Sequence, residues 1–190
     1  MIGQNNYKTF EESFVKYGTD KHGYHTYTGV YSSLFKDLSK VRNVLEVGIH
    51  LGASIRAWKD VFEFAEIVGV DNNPNRFIFD DRIMSMYLDQ GNNPSIESFK
   101  KIYSDTEFDL IVDDGCHFFA ETYNTFIHLL EKTRVGGFYV IEDIQSHLLD
   151  EWIGIVDELP KTKFSYVVHD MNDKANTNGD NIMIVVSRTS

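Results

Sequence analysis

Val44-Leu45-Glu46-Val47-Gly48-Ile49-His50-Leu51-Gly52-Ala53-Ser54 runs from a β-prone apolar segment, through a turn with two glycines, into a helical pattern. In an open parallel sheet, ligands sit outside the carboxyl ends of the strands, and glycine there lets the backbone approach them. The stretch therefore predicts a strand, a ligand-facing loop and a helix. Taken alone it is weak, because glycine turns also join strands to helices where nothing binds, and Ser54 serves equally well as an N-cap.

Outward from this unit the chain repeats the pattern. Val44–Val47, Ile67–Val70, Ile83–Leu88, Phe108–Val112 and Phe138–Ile141 are β-prone runs alternating with helical patterns, as expected for parallel strands joined by crossover helices. Ile55, Trp58 and Phe62 form one helical stripe, and Phe119, Tyr123, Phe126, Ile127 and Leu130 another; both read as core. Phe164–Val168 and Ile182–Val186 have no helical pattern between them, only the loop-rich Met171–Asn181, so they predict an antiparallel hairpin. The expectation is an α/β fold with a seven-stranded, mostly parallel sheet and helices on both faces. Tyr7–Tyr17 and Thr28–Lys40 read as helices of a cap or lid over residues 1–41, and 42–190 as a Rossmann-like core, within one domain spanning 1–190.

Composition narrows the function. Lys and Arg total 18 against 29 Asp and Glu, a formal charge of −11 that opposes non-specific attraction to nucleic acid or anionic membranes. A small-molecule or carbohydrate acceptor is the expected partner, with self-association into a homo-oligomer left open. The single cysteine, Cys116, forms no internal disulfide, and the polar run from Gly3 to Lys8 lacks the apolar core of a signal peptide. No apolar stretch has the length of a membrane span, so the expected location is cytoplasmic.

Four strand ends carry the candidate chemistry. Asp71 closes the second strand, where an acidic residue accepts hydrogen bonds from both ribose hydroxyls of an adenosine. His50 stands at the second glycine of the dinucleotide pattern, and Glu46 lies just upstream. A pyrophosphate is repelled by that carboxylate, whereas the cationic sulfonium and ammonium of S-adenosyl-L-methionine are not. Asp113-Asp114-Gly115-Cys116-His117 and Glu142-Asp143-Ile144-Gln145 follow the fourth and fifth strands, and their acids suit either a hard divalent ion such as Mg²⁺ or turn capping. Histidine has the titration range of a general base, which makes His117 the candidate base beside Asp114. Cys116 has no oxyanion apparatus around it and is set aside as a nucleophile. His22, Tyr24, His25 and Tyr27 either close over a ligand or pack the lid on the sheet.

At these residues the chain resembles the class I S-adenosylmethionine-dependent methyltransferases, specifically the metal-dependent sugar O-methyltransferases of macrolide biosynthesis and related cephalosporin-modifying proteins. Gly18-Thr19-Asp20-Lys21 with Gly23-Tyr24-His25, then Leu45-Glu46-Val47-Gly48, Asp89-Gln90, Asp113-Asp114-Gly115-Cys116-His117 and Ile141-Glu142-Asp143-Ile144-Gln145 follow that group's order. The resemblance implies the Rossmann-like class I methyltransferase fold and natural-product sugar O-methylation. It implies Mg²⁺ on Asp114, Glu142 and Asp143, and His117 as base. It further implies a cofactor pocket formed by Glu46, Gly48, Asp71, Asp89 and Gln90, with Thr19 and Lys21 reaching in from the lid. Gly52 and Asp113 are grouped with that pocket. The chain departs from the pattern at Cys116, where serine is usual, and shows no counterpart of the larger macrolide enzymes' additional amino-terminal domain. Relatives with hydroxylase labels are not followed, since no iron, haem or flavin motif is visible. Three other readings stay open: a metal-independent methyltransferase, an NAD-dependent oxidoreductase, and a non-catalytic ligand-binding or assembly protein.

Overall fold

The computed structural model describes residues 2–173 and 179–190, so the middle of the expected Met171–Asn181 loop, 174–178, lies outside the described residues. Helices α1 (Ile2–Tyr17) and α2 (Thr28–Leu34) precede β1 (Asn43–Val47), α3 (Ala53–Val61), β2 (Glu66–Asp71), β3 (Ile83–Tyr87), α4 (Asn93–Ile102) and β4 (Phe108–Asp113). Then come α5 (Phe119–Leu129), β5 (Thr133–Ile141), α6 (Leu149–Asp157), β6 (Phe164–Asp170) and β7 (Ile182–Arg188). The seven strands are ordered β3-β2-β1-β4-β5-β7-β6, with the first five parallel and β7 antiparallel to both β5 and β6. The mostly parallel sheet and closing hairpin are as the sequence predicts.

The central strands are apolar on both faces because helices cover both. Val44, Leu110 and Val112 pack beneath Phe10, Phe14 and Trp58 of α1 and α3, whereas Leu45, Ile111 and Ile141 pack against Phe99, Phe126 and Trp152 on the other side. Three elements differ from expectation, the first being α1, which starts at Ile2 and not at Tyr7. Thr28–Lys40 is not one helix: α2 stops at Leu34, Phe35 turns extended so that its ring packs edge-on against Phe62 and Phe138, and Asp37 caps a short 3-10 turn over Leu38–Lys40. Strand β5 begins at Thr133, before its apolar run, and its register on β4 shifts between Phe108 and Leu110. Gly137 permits this, since a Cβ there would lie 2.8 Å from the Asp109 carbonyl oxygen. Among the described residues no helix is long and apolar enough to cross a membrane.

Candidate active site

Side-chain alternation decides which way each strand-end acid points. Val44, Val112 and Val140 face the α3 side, so the period of two sends Glu46, Asp114 and Glu142 to that side as well. Leu45, Ile111 and Ile141 face α5, and Asp113 follows them.

On the α3 side, partners come from the segment between α1 and α2 and from α2 itself. Lys21 is only 1% exposed, and its Nζ lies 2.5 Å from Asp114 Oδ2 and 3.5 Å from Glu46 Oε1, and donates to Glu142 Oε2. Burial opposes the charge on Lys21, but Asp114, Glu142 and Glu46 outweigh it and hold the ammonium well above the ordinary lysine range. Tyr31 donates to Glu142 Oε1 at 2.5 Å, and Ser54 donates to Glu46 Oε2 at 2.8 Å. Burial pushes the Glu46 carboxyl up to about 7, against the pull of Lys21. Tyr27 donates to Asp143 Oδ1 at 2.6 Å, and His25 Nε2 lies 3.4 Å from the same oxygen. His25 and Tyr27 thus turn inward onto the acidic cluster, while Tyr24 stays 48% exposed.

Two carboxylate oxygens escape these partners. Asp114 Oδ1 and Asp143 Oδ2 lie 3.7 and 3.8 Å from His117 Nε2. Asp114, His117 and Asp143 offer ligand atoms within 4.8 Å of one another, a grouping with the donors for a hard cation. His117 and Asp143 both adopt left-handed backbone, with φ of 58° and 54°, as does His50 at 47° in the glycine loop. Such conformations cost energy in residues with a side chain and concentrate at functional sites.

On the α5 side, Asp113 accepts from Gln90 Nε2 at 2.9 Å and from the Tyr139 hydroxyl at 3.1 Å. Gln90 also donates to Thr125 Oγ1 at 2.9 Å and accepts from the Cys116 amide at 3.0 Å, so it braces the 114–117 turn. Gly115 makes this possible, because a Cβ would lie 2.1 Å from Gln90 Oε1. Burial pushes Asp113 up from 3.8 to about 7. The folded chain therefore keeps a proton that the unfolded chain has released between these values. This group's contribution is fully present below pH 3.8 and is lost as pH rises through about 7. Asp113→Asn is expected to shrink the loss of stability between acidic and neutral pH, measured by urea melts at several pH values; an unaltered pH dependence would contradict this.

A cleft of about 490 Å³, within the range of small-ligand sites, opens at the ends of β1, β2 and β4, with Gly48, Asp71, Asp89, Gln90 and Asp114 in its walls. Asp71 already accepts from the Ile49 amide at 3.0 Å and from the Asn73 amide at 2.8 Å, so it shapes the glycine loop as well as facing the cleft. Thr19, Lys21, Glu46, Gly52 and Asp113, grouped with the cofactor pocket from sequence, are buried and do not line this cleft. At Gly52 the demand is packing: a Cβ would lie 1.8 Å from Ile78 Cδ1. Sequence reasoning missed Tyr31 and treated Ser54 only as a cap. The available signal was the spacing of Tyr27 and Tyr31, four residues apart and so on one helix face.

Comparison with known proteins places the chain among methyltransferases. The 8-demethyl-8-alpha-L-rhamnosyl tetracenomycin-C 2'-O-methyltransferase of Streptomyces olivaceus is 27% identical over 161 residues, covering 80% of this chain and 42% of that protein. The mycinamicin VI 2''-O-methyltransferase of Micromonospora griseorubida is 33% identical over 138 residues, covering 68% of this chain and 34% of its own length. The chain thus spans less than half the length of these relatives. The solved structure of the MycE methyltransferase from the mycinamycin biosynthetic pathway, in complex with Mg and SAH, superposes with a TM-score of 0.75 at 25% identity, covering 95% of this chain and 55% of that one. The SAH-bound Podospora anserina methyltransferase PaMTH1 shares the fold, with a TM-score of 0.59 at 16% identity, over 96% of this chain and 88% of its own. A family model described as a methyltransferase domain matches residues 45–144, from the strand before the glycine loop past the acids that follow β5. Because that match takes in more than half of the chain and every strand end facing the cleft, the chain belongs to the methyltransferase domain family.

Proposed function

We propose that this chain is an S-adenosyl-L-methionine-dependent, Mg²⁺-assisted O-methyltransferase acting on a hydroxyl of a sugar, glycan or glycosylated natural product. The observation that carries the reading is Asp114, which belongs at once to the wall of the 490 Å³ cleft and to the Asp114–His117–Asp143 cluster, so the two halves of the site meet at one residue. When bound, S-adenosylmethionine supplies an electrophilic methyl group and Mg²⁺ supplies positive charge that lowers the pKa of a neighbouring hydroxyl. Asp71 takes the ribose hydroxyls, and Gly48 lets the loop backbone close on the ligand. Asp114 and Asp143 would hold the metal, with Glu142 as the third acid of the proposed set. Glu142 also accepts hydrogen bonds from Lys21 and Tyr31, which orient its carboxylate. His117 Nε2, beside Asp114 Oδ1 and Asp143 Oδ2, takes the proton from the acceptor hydroxyl. The relatives named above are, by name, 2'- and 2''-O-methyltransferases, which supports a glycosidic acceptor.

Calorimetric titration with S-adenosylhomocysteine, with Mg²⁺ and with chelator, tests the reading, using NAD as the control. Saturable binding of the nucleoside and none of NAD is expected; no nucleoside binding in any condition sinks it, and NAD binding revives an oxidoreductase. Methyl transfer undiminished in chelator removes the metal from the mechanism. Asp71→Ala is expected to weaken nucleoside binding at least about tenfold, since a hydrogen bond to a charged group contributes about 1.5–3 kcal/mol.

A further inference from the structure

Asp143 stands in a left-handed backbone conformation, with a φ of 54°, and one side chain grips it twice. The Tyr27 hydroxyl donates to Asp143 Oδ1 at 2.6 Å and accepts from the Asp143 amide at 3.3 Å. A phenol has one proton, and the Asp180 carbonyl oxygen, 3.3 Å from the same hydroxyl, competes poorly for it with a carboxylate oxygen at 2.6 Å. Tyr27 is itself fully buried, and its ring stacks on that of His25 with centroids 4.7 Å apart and planes 13° from parallel. His25 is fixed in turn by Asn181, whose Oδ1 lies 3.3 Å from His25 Nδ1 and accepts from the Thr26 amide at 3.3 Å.

We propose that Tyr27 is a positioning residue that limits Asp143 to one metal-facing oxygen, Oδ2, and thereby makes the site prefer Mg²⁺ to Ca²⁺. The inference rests on the metal reading above, with Asp114, Glu142 and Asp143 as the acids of the site. Mg²⁺ demands near-octahedral geometry at about 2.0–2.1 Å, which the narrow bite of a chelating carboxylate distorts. Ca²⁺ takes about six to eight oxygens at about 2.3–2.6 Å and accepts a carboxylate through one oxygen or both. A proton held on Oδ1 opposes chelation, and the bridge from the same hydroxyl to the Asp143 amide fixes the carboxylate's rotamer. Oδ2 is left toward the cluster, 3.8 Å from His117 Nε2. Tyr27 does not line the cleft that takes the nucleoside, so its effect on the metal is separable from cofactor binding.

Tyr27→Phe removes the hydroxyl and keeps the stacked ring. Groups that orient metal ligands typically contribute about 10- to 100-fold in affinity, so Mg²⁺ binding is expected to fall by about that factor. Ca²⁺ gains the freed Oδ1 and loses less, so the preference for Mg²⁺ narrows at least about tenfold. Both affinities are read by displacement of Mn²⁺, counted free in solution by electron paramagnetic resonance. Affinity for S-adenosylhomocysteine on the same preparations stays within about threefold. A preference for Mg²⁺ that is unchanged or wider in the variant overturns this inference and leaves the metal reading intact, as does a wild-type protein that prefers Ca²⁺. Parallel loss of both ions and of S-adenosylhomocysteine identifies Tyr27 as merely structural, which also overturns the inference; no ion uptake by the wild-type protein overturns both. Amide exchange on the wild-type protein gives a check that needs no variant to fold. By linkage, an ion that depends on the Tyr27 clasp must strengthen it, so at equal saturation Mg²⁺ is expected to slow exchange across residues 25–31 more than Ca²⁺ does. Equal slowing by the two ions overturns the inference.

Discussion

Replacing His117 by alanine is expected to slow methyl transfer about 10²- to 10⁴-fold, the usual contribution of a positioned general base, while nucleoside affinity stays within about threefold. The separation follows from position. Gly115, Cys116 and Phe118 line the cleft, but the His117 side chain leaves that wall and turns to Asp114 and Asp143. On the proposed reading it would meet the acceptor and not the nucleoside. His117 has a φ of 58°, so alanine there adds backbone strain, and asparagine, which tolerates left-handed backbone, is the better-folded partner variant. Both variants are expected to lose turnover and keep binding, read by initial rates and by calorimetry on the same preparations. Parallel loss of binding and rate in a folded His117→Asn protein would remove His117 from the role of base.

Gly48→Ala is expected to destabilise the protein by about 3 kcal/mol, from left-handed strain and overpacking together, and to abolish nucleoside binding. Gly48 has a φ of +95°, and a Cβ there would lie 2.0 Å from the backbone oxygen of Asp114. Relief by movement is blocked on both sides. The Gly48 amide donates to the Val70 carbonyl at 2.8 Å, and the Asp114 amide donates to the Val47 carbonyl at 2.9 Å. A chain of this size loses about 2–4 °C of melting temperature per kcal/mol, so a fall of about 6–12 °C is expected. Gly154→Ala is the control: Gly154 lies within α6 with nothing among the described residues within 4 Å of an added Cβ, so alanine there is expected to be neutral or slightly stabilising. A Gly48→Ala protein that melts like wild type and binds nucleoside would show that the β1 and β4 loops are not in contact.

Local chemistry made much of this legible. Leu45-Glu46-Val47-Gly48 reads as a strand entering a ligand-facing loop because an apolar run, a glycine and a helical stripe each state their geometry within a few residues. Alternating runs and helical stripes likewise yield the parallel sheet, and two late β-prone runs yield the hairpin. The break at Leu34 was hidden because Phe35 leaves the helix for tertiary reasons, its ring meeting Phe62 and Phe138 far along the chain.

Asp113 and Asp114 mark the boundary between the two kinds of knowledge. The amino-acid sequence by itself determined that they end a strand beside a glycine and a histidine, and that neighbours in a strand point to opposite faces. Only the tertiary structure decided that one face belongs to α5, where Asp113 is buried against Gln90 and Tyr139, and the other to α3 and the amino-terminal segment, where Asp114 meets Lys21. Lys21 and Asp114 stand 93 residues apart, and no local pattern encodes their contact. It arises because packing the amino-terminal aromatic residues on α3 carries Lys21 to the strand ends, and a buried ammonium there needs carboxylates around it.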